Sequence, residues 1–178
     1  MVVSPTSQNR GPQRLPGMRN VPFEVVVAEH GDAVLRVCRA MLPAHEASDA
    51  WSETFLSALR SYPQLDDEAN VRAWLLTIAR RRSIDQLRAR GRRAEPTDAV
   101  PELATASLAD ESLPDDVLLA AVRGLPPRQR AAVAYRYLAD LSYQQVGELL
   151  GSSPDAARRS AADGIAALRA RTRTTEAP

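Results

Sequence analysis

Residues 141–160 read LSYQQVGELLGSSPDAARRS and contain the start of one helical pattern, its end and the start of the next. Ser142 followed by Gln145 forms a capping box, which predicts that a helix begins there. Gly151 is the residue type that ends a helix in the left-handed conformation. Pro154, after a serine cap, predicts the first position of a second helix. Two helices joined by so short a connection are typical of a helix-turn-helix motif.

Helical spacing of apolar residues extends over most of the remaining chain. Hydrophobic residues make up 44% of the sequence and aromatics only 4%, so that alanine and leucine dominate, which favours helix. The fold class predicted is all-α. The predicted helices cover residues 23–42, about 46–59, from about 68 through an arginine-rich stretch, and roughly 115–123, 127–138, 143–150 and 154–171. The arginine-rich helix either bends beyond Arg80 or packs on two sides in turn, and the spacing of its apolar residues is compatible with both alternatives.

The chain is predicted to form two small helical domains joined by a flexible acidic linker, the second being the helix-turn-helix domain. Prolines, small residues and the lack of a sustained apolar period mark the tails and the linker. The predicted boundaries are a disordered tail 1–21, a first domain 22–93, a linker 94–114, a second domain 115–173 and a tail 174–178. Met18 lies just before the first structured segment and is a candidate for the true start.

The charges are separated along the chain, although the formal net charge is only +1. Seven arginines fall between positions 80 and 93 against a single acid, Asp85, whereas residues 94–116 carry only acids among their charged residues. Arg81, Arg88 and Arg92 share one helical face with Asp85, which could pair with its neighbours. Such a basic block predicts a polyanionic partner, because the planar arginine fork suits phosphate groups. A solvated, salt-bridged helix face is the alternative.

Several classes of protein are disfavoured by the sequence. Cys38 is the only cysteine, which excludes internal disulfides and cysteine-rich zinc sites. No apolar run reaches the length of about 20 residues that a membrane span needs, and the N-terminus lacks the apolar region of a secretion signal. A hydrolytic enzyme using His30 and His45 is disfavoured too, since metal-binding H-E-x-x-H spacing and a glycine-rich phosphate loop are absent. We therefore expect a cytoplasmic protein without membrane insertion, catalytic residues, metal or cofactor.

Two helices carry candidate binding residues. The helix from Pro154 should expose polar residues near its N-terminal end, where such a helix can reach base edges in the major groove, although an ordinary helical hairpin is the alternative. Residues 49–55, DAWSETF, place Asp49, Ser52 and Glu53 on the polar side of an amphipathic helix. From the residues alone, this second pattern favours a core helix with a solvated face.

Two long stretches resemble bacterial sigma factors of the extracytoplasmic-function group within the sigma-70 family. They are SDAWSETFLSALRSYPQLDDEANVRAWLLTIARRRSIDQLRARGRR at residues 48–93 and LPPRQRAAVAYRYLADLSYQQVGELLGSSPDAARRSAADGIAALRAR at residues 125–171. The resemblance implies a region 2-like first domain and a region 4-like second domain. It also implies a function, which is to direct core RNA polymerase to promoters and to assist promoter opening.

The resemblance further implies a role for particular residues. It assigns docking on a coiled coil of the polymerase β′ subunit to Asp49, Ser52 and Glu53. It assigns recognition of the promoter −10 element to Asn70, Arg80, Arg81, Arg82, Arg88, Arg92 and Arg93. It assigns recognition of the −35 element to Asp155, Ala156, Arg158 and Arg159. The implied partners are core RNA polymerase (β′ and β subunits), promoter DNA and an anti-sigma factor, and the acidic linker would thread through the polymerase.

The sequence also departs from the family. Ser52 stands where glutamine is frequent, and a hydroxyl reaches less far than an amide. Residues Ala161, Ala162 and Asp163 occupy a stretch of the last helix that is commonly basic. A second hypothesis is therefore a degenerate sigma-like interaction protein, which binds polymerase or a regulator without reading a promoter.

Overall fold

The computed structural model describes residues 21–93 and 114–175, in which all regular structure is helical. The helices are α1 (Phe23–Met41), α2 (Ala44–Ser61), α3 (Val71–Arg93), α4 (Pro114–Arg123), α5 (Pro127–Val133), α6 (Tyr143–Leu150) and α7 (Pro154–Thr175). A 3-10 turn, Tyr62–Gln64, follows α2, and a π-helical turn, Ala134–Leu138, follows α5. The all-α prediction is confirmed. Most of the predicted tails (1–21 and 174–178) and linker (94–114) lies outside the described residues. Pro114, however, begins α4, and residues 174–175 belong to α7.

The start of α3 differs from the sequence prediction. The side chain of Asp66 accepts a hydrogen bond of 3.0 Å from the Glu68 N–H, which turns the chain before the helix. Asn70 then caps α3, its Oδ1 accepting a 3.0 Å hydrogen bond from the Ala73 N–H. The helix therefore begins at Val71 instead of about residue 68, and it continues uninterrupted to Arg93.

The first domain is a three-helix unit formed by α1, α2 and α3. Its core contains Val34, Val37, Leu75 and Leu76, all at most 1% exposed. Trp51 lies at the edge of this core, where its Nε1–H donates a 2.9 Å hydrogen bond to the Gly31 carbonyl. The aromatic rings around it pack in tilted and edge-to-face pairs, which join α1, α2 and α3: Phe23, Phe55, Tyr62 and Trp74.

The second domain contains the predicted helix-turn-helix, formed by α6 and α7. Both hydrogen bonds of the capping box are present, since Ser142 Oγ accepts from the Gln145 N–H and the Gln145 side chain accepts from the Ser142 N–H. Gly151 ends α6 with a φ of 64°, in the left-handed region that the sequence predicted. In α7, Gly164 allows a close approach, because a Cβ there would lie 2.7 Å from Val133 Cγ2.

The two domains lie directly against each other. Helix α1 packs on α4, α5 and the π-helical turn, and α3 packs on α6. Buried residues from both domains form one continuous apolar cluster, which includes Val34 and Cys38 of α1 as well as Tyr135 and Leu141 of the second domain. The sequence predicted two domains on a tether, and it contained no signal for this contact.

Candidate functional site

The outward face of α2 carries the three residues predicted to bind polymerase. Asp49, Ser52 and Glu53 are all exposed, and the same face continues with Leu56 and Leu59, which are 56% and 50% exposed. These two leucines lie on the same exposed helix face as the acidic residues and leave apolar surface in water that a docked partner would cover. The sequence pattern did not single them out, although they lie four and seven residues after Ser52, a spacing that places them on the same face.

Arg82 connects α3 to α2. One guanidinium nitrogen, Nη2, donates a 2.6 Å hydrogen bond to Ser57 Oγ, and Nη1 lies 3.9 Å from Glu53 Oε2. The side chain is therefore turned towards α2 and away from Arg81, its neighbour along the helix. Arg82, which was predicted to bind DNA, thus points towards the face of α2 that carries Glu53.

The other arginines of α3 form a positive surface. Arg81, Arg88 and Arg92 are exposed and Arg80 is half-buried, while the side chain of Arg93 lies outside the described part. Within residues 21–93 and 114–175, Asp85 forms no ion pair with Arg81 or Arg88, in contrast to the pairing expected from their spacing. The like charges along this face are thus only weakly neutralised by the protein itself, which favours an anionic partner.

A groove separates this positive surface from the helix-turn-helix. It has a volume of about 490 Å³, and Asn70, Arg80 and Arg81 line its first-domain wall. The opposite wall is formed by residues of α6, which include Glu148 and Leu149. A carboxylate thus lies across the groove from residues predicted to bind DNA.

The exposed N-terminal part of α7 contains the residues predicted for the −35 element. Asp155, Arg158 and Arg159 are exposed and Ala156 is half-buried. Arg158 Nη1 lies 3.1 Å from Asp155 Oδ1, and its guanidinium stacks on the Tyr143 ring at 5.2 Å from the centroid. Arg158 therefore already has partners within the domain, which it would have to give up in part to contact DNA.

A second cavity, of about 390 Å³, lies between α1 and the segment that precedes α3. Its lining includes Tyr62, Leu65, Asp66 and His30. His30 is buried, and this burial lowers the pKa of its imidazole, so the ring is neutral at pH 7. Among the described residues there is no group of His, Cys, Asp and Glu that could hold a metal ion.

Both domains match families of known proteins. The family model for sigma-70 region 2 matches residues 26–93, and the model for sigma-70 region 4 matches residues 115–168. RNA polymerase sigma factor CarQ of Myxococcus xanthus is 31% identical over 157 residues, covering 83% of this chain and 87% of that protein. The chain belongs to the sigma-70 family, in its extracytoplasmic-function group.

Other members of the sigma-70 family agree with this assignment. The ECF RNA polymerase sigma factor SigE of Mycolicibacterium smegmatis is 32% identical over 139 residues, covering 72% of this chain but only 53% of that protein, so the chain spans about half of that relative. The fold is similar to RpoE of Bartonella quintana, solved in complex with the anti-sigma factor NepR, with a TM-score of 0.69 and 21% identity. That match covers 83% of this chain and 94% of the other.

All the residues predicted as sites fall within the two matched sigma-70 regions. Region 2 contains the exposed face of α2 and the arginines of α3, and region 4 contains the start of α7. Sigma factors are transcription subunits and not enzymes. None of the described helices combines the length and apolarity needed to cross a membrane.

Proposed function

We propose that this chain directs core RNA polymerase to specific promoters and assists the opening of promoter DNA. The proposal rests on one observation: two adjacent helices of the first domain expose faces of different character. The face of α2 is acidic and apolar, whereas the face of α3 is basic, and Arg82 joins the two helices. One domain can therefore hold a protein with one helix and DNA with the next.

Polymerase docking is assigned to α2. Asp49, Ser52 and Glu53 provide polar contacts to a coiled coil of the β′ subunit, and Leu56 and Leu59 provide apolar area in the same patch. Burial of the half of each leucine that is still exposed contributes about 1 kcal/mol, so the leucines supply binding energy that the serine cannot. Ser52 then contributes less to the affinity for polymerase than a glutamine side chain at this position would.

Promoter contact is assigned to α3 and α7. Arg81, Arg88 and Arg92 contact phosphates of the −10 region, and Asn70 and Arg80 border the groove where an unstacked base is held. Strand opening needs no chemical step, because preferential binding to the unstacked strand supplies the energy. On α7, Arg158 and Arg159 contact the −35 element.

A second candidate function is supported by α7. Arg158 is paired with Asp155 and stacked on Tyr143, and the next exposed positions are Ala162 and Asp163. A recognition helix with so few available cations would bind DNA weakly. The alternative is therefore a sigma-like interaction protein that binds polymerase or a regulator without reading a promoter.

An anti-sigma factor is a proposed further partner, and the cytoplasm is the proposed location. RpoE of Bartonella quintana, which has a similar fold, was solved in complex with the anti-sigma factor NepR. Core RNA polymerase, with its β′ and β subunits, is the partner that the first function requires.

Run-off transcription with purified core enzyme, on a library of genomic promoter fragments, tests the proposal. The wild-type chain should give promoter-dependent transcripts, and the double variant Leu56→Glu and Leu59→Glu should lose core binding and transcription together. Val25→Glu is the matched control, because Val25 is a similarly exposed apolar residue on α1, at 47%. Core binding without any transcript would favour the alternative function, and absence of both would refute the proposal.

A further inference from the structure

The cavity between α1 and the segment that precedes α3 has an apolar wall and an acidic one. Its volume is about 390 Å³, and most of its lining is apolar, with Val26 and Leu65 among the residues that form it. None of the described residues that line it is an arginine, and its charged residues are all acidic: Glu29, Asp66 and Asp67. An occupant that fits such a cavity presents apolar side chains with positive charges beside them.

His30 lines the same cavity and contains a polar atom without a partner. The residue is only 8% exposed, and within the described part of the chain no group hydrogen-bonds its Nδ1. A buried polar atom that stays unpaired costs free energy. A donor or acceptor that enters the cavity can recover this free energy.

The N-terminal segment of the chain joins the described part at this cavity. Val21, the first described residue, lines the cavity, and its carbonyl accepts a 3.0 Å hydrogen bond from the Tyr62 hydroxyl. Tyr62 lines the cavity as well, so position 21 is held against it. A residue three positions earlier can lie up to about 10 Å from Val21, at roughly 3.3–3.6 Å for each residue. Residues 14–20 are therefore within reach of the cavity.

Residues 14–19 read RLPGMR, and this order suits the cavity. Proline followed by glycine in the middle of four residues predicts a type II turn, which brings its first and fourth residues within about 7 Å of each other. Here these two residues are Leu15 and Met18, and an arginine flanks the turn on each side. Residues 1–20 contain three arginines and no acidic residue, so the segment is opposite in charge to the acidic wall.

We propose that residues 14–19 dock in this cavity, with Leu15 and Met18 against the apolar wall and the two arginines beside the carboxylates. Composition alone predicted a disordered tail, because the ordering of a polar chain costs conformational entropy. Proline reduces this cost, since it restricts the chain before binding, and burial of two apolar side chains opposes what remains.

The docked segment would support the loop before α3 from the side opposite to the groove proposed to bind DNA. Leu65 and Ala69 line both the cavity and the groove beside Asn70, so the loop is the wall between the two. Contact on one side of this wall restricts the positions that Asn70 can take on the other, and such preorganisation strengthens binding. This second step rests on the proposed function, whereas docking itself can be measured without DNA.

A nitroxide on the full-length chain tests the docking directly. Gln13→Cys carries the label next to the segment, and Cys38 stays unlabelled, because burial protects its thiol and raises its pKa to about 12. Docking should remove most of the amide NMR signal of Glu29 and Leu65, while the signal of Asp163, exposed on α7, is retained. A mixture of spin-labelled chain with isotope-enriched, unlabelled chain should show no loss, since the segment docks within its own chain.

Two serine pairs in the labelled chain test the apolar contact. Leu15→Ser with Met18→Ser should restore the signals, because two buried side chains are lost and the docking constant falls by more than about tenfold. Val2→Ser with Val3→Ser is the matched control, since it removes two apolar residues of the same tail and keeps every charge. Binding of a fluorescein-labelled pool of random single-stranded DNA should weaken severalfold in the first pair and stay unchanged in the control pair.

Charge reversal tests the acidic wall. Glu29→Arg should weaken docking severalfold, because it places a positive charge beside the arginines of the segment. Glu24→Arg is the matched control, since Glu24 is exposed on the same helix and does not line the cavity. Equal effects of the two reversals would contradict the charge pairing.

Retained signals of Glu29 and Leu65 in the labelled chain would overturn the docking, and so would equal losses in the two serine pairs. Signal loss in the mixture would assign the cavity to the segment of a second chain and would also overturn it. Docking with equal DNA binding by the two pairs would overturn the support of the loop. If no form of the chain binds DNA while the labelled chain shows docking, the proposed function fails and the docking is supported.

Discussion

The guanidinium of Arg123 in α4 donates a 2.6 Å hydrogen bond to the main-chain carbonyl of Arg39 in α1. Arg39 itself lies 3.7 Å from Asp116, on the same helix as Arg123. The ion pair is half-exposed and contributes little, because water and salt screen it. The hydrogen bond is different, since Pro43 leaves the Arg39 carbonyl without a partner inside α1.

Replacement of Arg123 by alanine should therefore destabilise the chain. We expect the free energy of unfolding to fall by about 1–2 kcal/mol, since a charge-assisted hydrogen bond is removed and a carbonyl is left unpaired. Urea denaturation followed by circular dichroism measures the change. Arg128→Ala, at an exposed position of α5, is the control, and an equal loss in that variant would contradict the role given to Arg123.

Two glycine-to-alanine substitutions should have opposite effects. At Gly164 a Cβ would lie 2.7 Å from Val133 Cγ2, so Gly164→Ala should cost about 1–3 kcal/mol despite the better helix propensity of alanine. At Gly91 nothing lies within 4 Å of the same atom, so Gly91→Ala should stabilise by about 0.5–1 kcal/mol. Thermal unfolding of the two variants gives the comparison, and stabilisation by both would show that packing at Gly164 is looser than described.

Removal of the Tyr135 hydroxyl should stabilise the protein. Tyr135→Phe keeps the ring and deletes a buried hydroxyl that has no hydrogen-bond partner in the described part of the chain, so the free energy of unfolding should rise by up to about 1 kcal/mol. Tyr62→Phe is the contrast, because the Tyr62 hydroxyl donates a 3.0 Å hydrogen bond to the Val21 carbonyl. A loss of stability in Tyr135→Phe would mean that its hydroxyl is paired in solution.

The arginines of α3 should determine the salt dependence of promoter binding. Arg88→Ala combined with Arg92→Ala should weaken binding and reduce the slope of log affinity against log salt by about one for each phosphate that the protein no longer neutralises. Arg36→Ala, exposed on α1, should leave the slope unchanged. A titration of affinity against salt concentration with a promoter fragment measures this, and an unaltered slope in the double variant would exclude phosphate binding by these two arginines.

Arg158→Ala should cost less affinity than the α3 pair, since Asp155 and Tyr143 already engage this side chain. The same promoter fragment, compared at one salt concentration, provides the measurement. Equal losses would indicate that α7 contributes as much to promoter binding as α3.

Acid should destabilise the fold through His30. Burial lowers the pKa of His30 in the folded chain, whereas the unfolded chain has an ordinary value of about 6.5. The folded state therefore binds fewer protons, and stability falls as the pH drops below about 6.5 towards the folded pKa. Denaturation at several pH values should show a shallower decline in His30→Gln than in the wild type. Ala28→Gln, at an exposed position of the same helix, should follow the wild-type curve.

Local interactions made the helix-turn-helix predictable. The capping box of Ser142 and Gln145 and the left-handed Gly151 depend on residues a few positions apart, so their sequence spacing specifies their geometry. Ala157 and Ala161, four residues apart in α7, are both buried, as expected for two positions on one helical face. The all-α class followed for the same reason, because composition and periodicity are local properties.

Long-range packing accounts for what the sequence did not predict. Arg82 belongs to the basic block by sequence, but Ser57 and Glu53 on another helix determine its direction. Ala40 is buried only because α4 and α5 lie against α1. The cap at Asn70 is short-range, so the polar residue just before Val71 was a signal from which this helix start could have been predicted.

The bond between Arg82 and α2 has a mechanical consequence. Ser57 accepts a hydrogen bond from Arg82 across the contact between α2 and α3, and Glu53 lies 3.9 Å from the same guanidinium. The two helices also share the buried core of the first domain, so we expect them to move as one unit. Under the proposed function, bending strain in DNA bound by α3 would then be transmitted to the protein that binds α2.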